Sequence, residues 1–339
     1  MYISLTFMIT AGTMEGTSRQ NELEHQRRLN AKLREEFGPV VVELLDESTQ
    51  PGNRVTDIVL NADGQVHVKR SGQYKLAGIL DARRAKSAIA TVATMRDTVV
   101  TESQPQLHTK LPFWGARFAA AIPPMAAAPI FSIRIKSLHL ITLAEYVAQG
   151  VLSASHRDAI ETAILGRKNI LVVGETGSGK TTFANAVMDG IARLRPNARL
   201  VVIEDTPELQ VKVVNYLSLF ATGLEVTMQD CLIASLRHDP DSIVVGEVRG
   251  GEALVMVSAW GTGHNGGVAT CHAKDAHEGL VRIERCAAIA TAASQHAAIA
   301  SAVNLVVAIS NELPEGRKVR EVARVLGYEN GRYQLELLS

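Results

Sequence analysis

Apolar residues are distributed in two ways along the chain, and the change falls near residues 137–142. Before it, residues 18–37 are charged and helix-prone, with Leu23, Leu29, Leu33 and Phe37 as sparse apolar positions. That spacing predicts a surface helix packed on one face. Asp57-Ile-Val-Leu60 and Gln65-Val-His-Val68 flank Asn61-Ala-Asp-Gly64, a hairpin signal in which Asp-Gly supplies the turn. Residues 81–95 predict a helix opened by Asp81. Pro112, Pro123, Pro124 and Pro129 then punctuate β-like pieces that end in Ile130-Phe-Ser-Ile-Arg134. Strands with helices packed beside them predict a small α+β domain.

Beyond residue 142 the pattern alternates. Apolar runs occur at 170–173, 200–203, 243–245, 267–270 and 305–309, with helical stretches between them. This is the βαβ rhythm of a buried, largely parallel sheet. The Ala-rich stretch 286–302 predicts a helix by propensity. Arg324-Val-Leu and Tyr333-Gln-Leu-Glu-Leu337 flank Glu329-Asn-Gly-Arg332, a second hairpin signal. The expected organisation is a disordered or untranslated leader over 1–17, an N-terminal α+β domain over 18–136, a linker over 137–142 and an α/β domain over 143–339. The leader reading rests on the apolar stretch Tyr2 to Ile9, which is too short to cross a bilayer and lacks the preceding positive charge of a signal peptide. Met14 is the expected start.

Composition narrows the classes. The formal net charge is zero and aromatic residues make up 4%, so direct nucleic-acid binding is not indicated by a basic surface or a base-stacking platform. The three cysteines, Cys231, Cys271 and Cys286, form no CxxC pair, which excludes a four-cysteine zinc ribbon and fits a reducing cytoplasm.

The chemistry is concentrated after the run Ile170-Leu-Val-Val173. Gly174, Glu175, Thr176, Gly177, Ser178, Gly179, Lys180 and Thr181 form the P-loop pattern between a strand and a helix expected from Thr182 to about Met188. The glycines free the backbone to turn its N–H groups around phosphate oxygens. Lys180 supplies charge for the β/γ-phosphates, and the Thr181 hydroxyl can ligate Mg²⁺. Two further strands end in acids, Leu200–Ile203 before Glu204-Asp205 with Glu208 beyond, and Ser242–Gly246 before Glu247. Acids at such strand ends line the ligand crevice of a parallel sheet and can hold Mg²⁺ or a water. Solvated turn acids, or a Glu247–Arg249 ion pair, are the plainer alternatives. Arg237 reads either as a helix C-terminal cation or as a γ-phosphate contact from its own or a neighbouring subunit. His264 and His272 bracket the strand 267–270; metal binding is a poor reading, and His272 reads as a core histidine or as a donor to phosphate at a strand end.

Taken in order, Gly174 to Thr181, Ile203-Glu-Asp-Thr-Pro-Glu-Leu209, Arg237 to Arg249 and Gly263 to Ala273 resemble the Walker A, Asp, Walker B and His boxes of the secretion/traffic ATPases of type IV secretion, type II secretion and pilus systems. Within that group the chain looks most like the TrbB-type conjugative transfer ATPases. The resemblance covers 170–275 and reaches weakly back through Asn61–Gly64, Arg117 to Pro124 and Pro129 to Arg134. It implies a RecA-like P-loop C-terminal domain joined by a linker to a smaller N-terminal domain. It also implies ATP and Mg²⁺ as cofactors, a hexameric ring and ATP hydrolysis that powers pilus assembly or DNA–protein transfer. Such a protein would sit peripherally at the cytoplasmic face of the inner membrane with other components of the machine.

Carried over by position, Lys180, Thr181 and Thr182 hold phosphates and Mg²⁺, Glu204 positions the attacking water, Glu247 contacts the metal and His272 senses phosphate. Arg117 and Arg134 match arginines that reach the nucleotide from the N-terminal domain; Arg237 and Arg249 match less directly. Departures are Glu175 where Gly is common, Asn265 for Pro and Cys271 for Ile. The missing four-cysteine module favours the conjugation branch. The rival readings are a nucleotide-gated scaffold with little turnover and a RecA-like nucleic-acid motor.

Overall fold

An antiparallel sheet in the first part of the chain and a largely parallel one in the second follow from the two apolar patterns. The computed structural model describes residues 3–50, 53, 55–70, 72–135, 140–222, 225–312 and 316–339, with side chains from residue 24 onward except that of Glu312. The chain divides into two units, Met1–His139 and Leu140–Ser339. Of the linker expected over 137–142, residues 137–139 lie outside the described residues. So do Met1 and Tyr2 of the expected leader; the backbone from Ile3 belongs to the first helix.

The first unit begins with α1 (Ile3–Ser48), kinked at Gly38, which takes φ 71 ahead of Pro39. Gly-Pro is a helix-stop signal because proline lacks an N–H and blocks the preceding turn. The chain nevertheless resumes its helix, which extends eleven residues past the expected end at Phe37, because Val41, Leu44 and Leu45 join Leu33 and Phe37 in the core. There follow β1 (Val55–Leu60), β2 (Gln65–Arg70), β3 (Gln73–Ile79), α2 (Ala82–Thr94), β4 (Gln106–Lys110), β5 (Arg117–Ala121) and β6 (Ile130–Arg134). The Asn61–Gly64 turn closes with Gly64 at φ 83, and Asp81 caps α2 by accepting from the Arg83 and Arg84 amides. The strands form an antiparallel sheet in the order β3-β2-β1-β6-β5-β4. One face (Ile58, Leu60, Val66, Val68, Phe118, Phe131, Ile133) is buried in a core shared with α1 and α2. The alternate positions carry polar residues in register, and Arg134 lies opposite both Asp57 and Arg117. The Arg134 guanidinium pairs with Asp57 at 3.2 Å.

The second unit runs α3 (Leu143–Ala148), α4 (Ala154–Leu165), β7 (Ile170–Gly174), α5 (Lys180–Leu194), β8 (Leu200–Glu204), β9 (Tyr216–Phe220), α6 (Met228–Ser235), β10 (Ser242–Val245), α7 (Glu252–Gly261), β11 (Val268–His272), α8 (Ala276–Ala287), α9 (His296–Ala302), β12 (Leu305–Glu312), β13 (Gly316–Glu329) and β14 (Arg332–Leu337). Its sheet has the order β14-β13-β12-β7-β11-β10-β8-β9, parallel from β12 to β9, with β12, β13 and β14 antiparallel. Helices cover both faces, which explains the apolar runs. Ile170 and Val172 pack in a cluster with residues of α3, α4 and α5, and Leu171 and Val173 in another with residues of α6, α7, α8 and α9. The second unit is a RecA-like P-loop domain, and the first is a smaller α+β unit. Among the described residues no helix is long and apolar enough to cross a membrane.

Two elements depart from expectation. β9 is an additional strand, paired in parallel with β8. The Ala-rich helix expected over 286–302 is broken between Ala287 and His296. Alanine propensity loses there to a polar anchor. His296 bonds Glu284 of α8 at 2.7 Å and Ser294 at 2.6 Å, and its ring stacks on Tyr328 at 4.4 Å.

Asn169, just before β7, ties three strand starts together. Its Oδ1 accepts from the Gly266 and Gly267 amides at 2.8 and 3.0 Å, and its Nδ2 donates to the Ala302 carbonyl at 2.7 Å. The residue is 1% exposed, so water cannot replace these bonds. Asn169→Ala is expected to cost about 2–4 kcal/mol of stability, read as a lowered midpoint in urea unfolding. An unchanged midpoint would show that the loop carbonyl and amides find other partners.

Candidate nucleotide site

A tight turn links β7 to α5, and its sequence is dictated by space. A Cβ on Gly174 would lie 2.4 Å from both the Ile309 carbonyl oxygen and Ser178 Oγ, so no larger residue fits. Gly177 and Gly179 take φ 79 and 100, the left-handed region that glycine enters without strain. α5 begins at Lys180, earlier than the expected Thr182, and runs to Leu194. The amides of Lys180, Thr181 and Thr182 therefore belong to the first helical turn, where backbone donors have no intrahelical acceptor. That end of a four-turn helix is suited to an anion.

The side chains expected to carry chemistry meet at the C-terminal ends of β7, β11, β10 and β8, which are consecutive neighbours in the sheet. Lys180 is 7% exposed; its Nζ donates to the Glu175 carbonyl at 3.0 Å and lies 3.3 Å from His272 Nδ1. His272 Nε2 is 2.7 Å from Glu247 Oε1. Arg249 bridges Glu247 at 2.5 Å and Asp205 at 2.7 Å. A continuous polar chain thus runs Lys180–His272–Glu247–Arg249–Asp205. Burial pushes the Lys180 amine below its usual range, and the Glu247 carboxylate opposes that shift. Burial, and next the Lys180 charge, hold the His272 imidazole below its ordinary value. With Nδ1 accepting from Lys180, the neutral imidazole carries its proton on Nε2, which lies 2.7 Å from Glu247 Oε1 without the alignment of a hydrogen bond.

Glu204 is 4% exposed, and its Oε1 accepts from the Glu208 and Leu209 amides, both at 2.8 Å. Asn185 of α5 braces this turn by accepting from the Gln210 amide at 2.7 Å and donating to the Glu208 carbonyl at 3.3 Å. Asn185 was not anticipated, although a polar residue among the apolar positions of α5 is a readable signal. Glu175 is exposed, and Lys180 engages its backbone oxygen. Thr176 is exposed, and Thr181 and Thr182 are half-buried at the helix start.

The structure does not bring Arg237 to this cluster. It follows α6 and precedes β10, and its segment is tied to residues at strand starts. Arg199 Nε donates to the His238 carbonyl at 2.8 Å, Arg167 to that of Asp241 at 2.9 Å, and His264 Nδ1 lies 2.9 Å from that of Pro240. Parallel strands put starts and ends on opposite edges, so a phosphate contact by Arg237 within its own subunit is corrected to a place on the far edge. His264 has a loop-tying role there. Arg117 and Arg134 belong to the first unit, on adjacent strands. Arg317 of β13, which nothing in the sequence pointed to, donates from Nε to the Ser178 carbonyl at 2.9 Å.

The chain is similar to proteins of one family. The family model for type II/IV secretion system proteins matches residues 47–321. The chain is 39% identical over 316 residues to the conjugal transfer protein TrbB of Rhizobium radiobacter, covering 93% of this chain and 96% of the relative. It is 31% identical over 260 residues to the type IV secretion system protein PtlH of Bordetella pertussis, covering 68% and 76%. The X-ray structure of the Legionella pneumophila ATPase DotB superposes with a TM-score of 0.62 at 18% identity, covering 87% of this chain and 82% of that one; this likeness is one of fold.

Proposed function

This chain belongs to the type II/IV secretion system protein family, and on that premise we propose that it is an Mg²⁺-dependent ATPase that drives a conjugative type IV secretion machine. The observation that carries the proposal is the run of Lys180, His272, Glu247, Arg249 and Asp205 across neighbouring strand ends beside a P-loop. The loop amides and the start of α5 bind the polyphosphate. Lys180 gives up the Glu175 carbonyl for a phosphate oxygen. The Thr181 hydroxyl, and Glu247 through water, would hold Mg²⁺, whose chemistry is to neutralise charge on the β- and γ-phosphates. Glu204, whose Oε1 is fixed by two backbone amides, positions the attacking water. His272, between Lys180 and Glu247, registers whether phosphate has drawn Lys180 away.

Arg117 and Arg134 are proposed as further phosphate contacts. The proposal rests on their match by position to family arginines; Arg134 is also paired with Asp57. The proposed working form is a hexameric ring at the cytoplasmic face of the inner membrane, engaged with membrane components of the machine and coupling hydrolysis to pilus assembly or substrate transfer.

The test is phosphate release from purified protein with Mg-ATP across a range of protein concentrations. Turnover per subunit is expected to rise with concentration and to be indifferent to added DNA. Concentration-independent turnover would remove the ring from the proposal. DNA-stimulated turnover would favour a nucleic-acid motor, and bound nucleotide without turnover a gated scaffold.

A further inference from the structure

The Ser178 carbonyl and the Gly179 amide belong to one planar peptide unit and point in opposite directions. Whatever holds that carbonyl outward aims the Gly179 N–H inward. Arg317 Nε donates to the Ser178 carbonyl at 2.9 Å. The guanidinium lies so close to Gly179 that a Cβ there would come within 2.7 Å of Nε and 2.9 Å of Cζ. Gly179 itself sits at φ 100, in a region where the backbone turns over at little cost and the peptide is free to flip. Arg317 is held from the other side by the sheet, since it pairs with Asn311 of β12, the neighbour of β7.

We propose that Arg317 is a positioning residue for the nucleotide site, and this rests on the reading of residues 174–181 as a polyphosphate cradle. By fixing the Ser178 carbonyl on the outside of the loop it presents the Gly179 N–H to the phosphates. A flipped peptide would instead turn a carbonyl dipole toward them. The recognised chemistry is that of a nucleoside di- or triphosphate, because the amide serves phosphates common to both.

The experiment measures dissociation constants for ATP and ADP with the full-length protein, its Arg317→Gln and Arg317→Lys variants and Lys180→Ala. Amide hydrogen exchange over residues 174–181 is followed in the nucleotide-free state. Loss of one aligned amide–phosphate bond corresponds to about ten- to a hundredfold in affinity. Arg317→Gln is expected to weaken ATP and ADP by the same factor within that range. It should speed exchange in the loop while leaving the rest of the second unit protected. Arg317→Lys keeps the charge without the fixed Nε donor and is expected to bind as weakly.

Wild-type affinity in Arg317→Gln would overturn the proposal. So would wild-type affinity in Arg317→Lys, because Arg317 would then act as a charge and not through the peptide plane. Faster exchange throughout the unit would also overturn it, by making Arg317 a general stabiliser. Should wild type and Lys180→Ala bind nucleotide equally, the cradle reading itself fails, whatever Arg317 does.

Discussion

Lys180→Ala is expected to lower ATP turnover by at least about 10²–10³-fold, the loss seen when one preorganised donor to developing charge is removed. Lys180 is a buried amine held at 3.0 Å by the Glu175 carbonyl and 3.3 Å from His272. It is already desolvated and needs only to exchange one acceptor for another when phosphate arrives. Alanine is the best helix former, so α5 retains its first turn. The variant should fold while binding nucleotide more weakly. Steady-state phosphate release beside circular dichroism checks both halves. Turnover within a few-fold of wild type would disconnect the P-loop lysine from catalysis.

Glu204→Gln is expected to reduce the catalytic rate by about 10²–10⁴-fold, the usual size of a lost general base or water-positioning group. ATP affinity should stay within a few-fold. The substitution is well matched to the site. Gln keeps an oxygen that can accept from the Glu208 and Leu209 amides, each now at 2.8 Å, so the turn they define survives. The second atom loses its negative charge and turns from an acceptor into a donor. Single-turnover hydrolysis with prebound ATP separates the two effects. Undiminished turnover would take Glu204 out of the chemistry and move attention to Glu247. Glu247 Oε2 is held by Arg249 and Oε1 lies 2.7 Å from His272, so that carboxylate would first have to be released from Arg249.

The features readable from residue order are those set by near neighbours. The Asp81 cap and the Asp-Gly and Asn-Gly turns involve groups within a few positions, and all three appear where they were expected. The P-loop is of the same kind. Its glycines answer to local sterics, and its lysine reaches back five residues to Glu175. Unbroken runs such as Ile170–Val173 announced strands buried on both faces, because each neighbouring pair of side chains needs an apolar layer of its own. The less legible elements are those in which tertiary contact outweighed a local signal. α1 passes through Gly-Pro because the residues beyond it enter a core. The Ala-rich stretch breaks because His296 bonds Glu284 and stacks on Tyr328.

By itself, then, the order of residues carried the family through its boxes, and it determined the two kinds of sheet and the P-loop turn, since these depend on interactions spanning a few positions. Sheet order was decided only by the tertiary structure. Placing β11 and β10 between β7 and β8 sets Lys180, His272, Glu247 and Asp205 side by side, though as many as 92 residues separate the contacting pair Lys180 and His272. The same order put Arg237 on the opposite edge and carried Arg317, 139 residues from Ser178, onto the back of the loop. Strand pairing is a long-range choice made by burying apolar faces, and short-range periodicity carries no information about which strand will be whose neighbour.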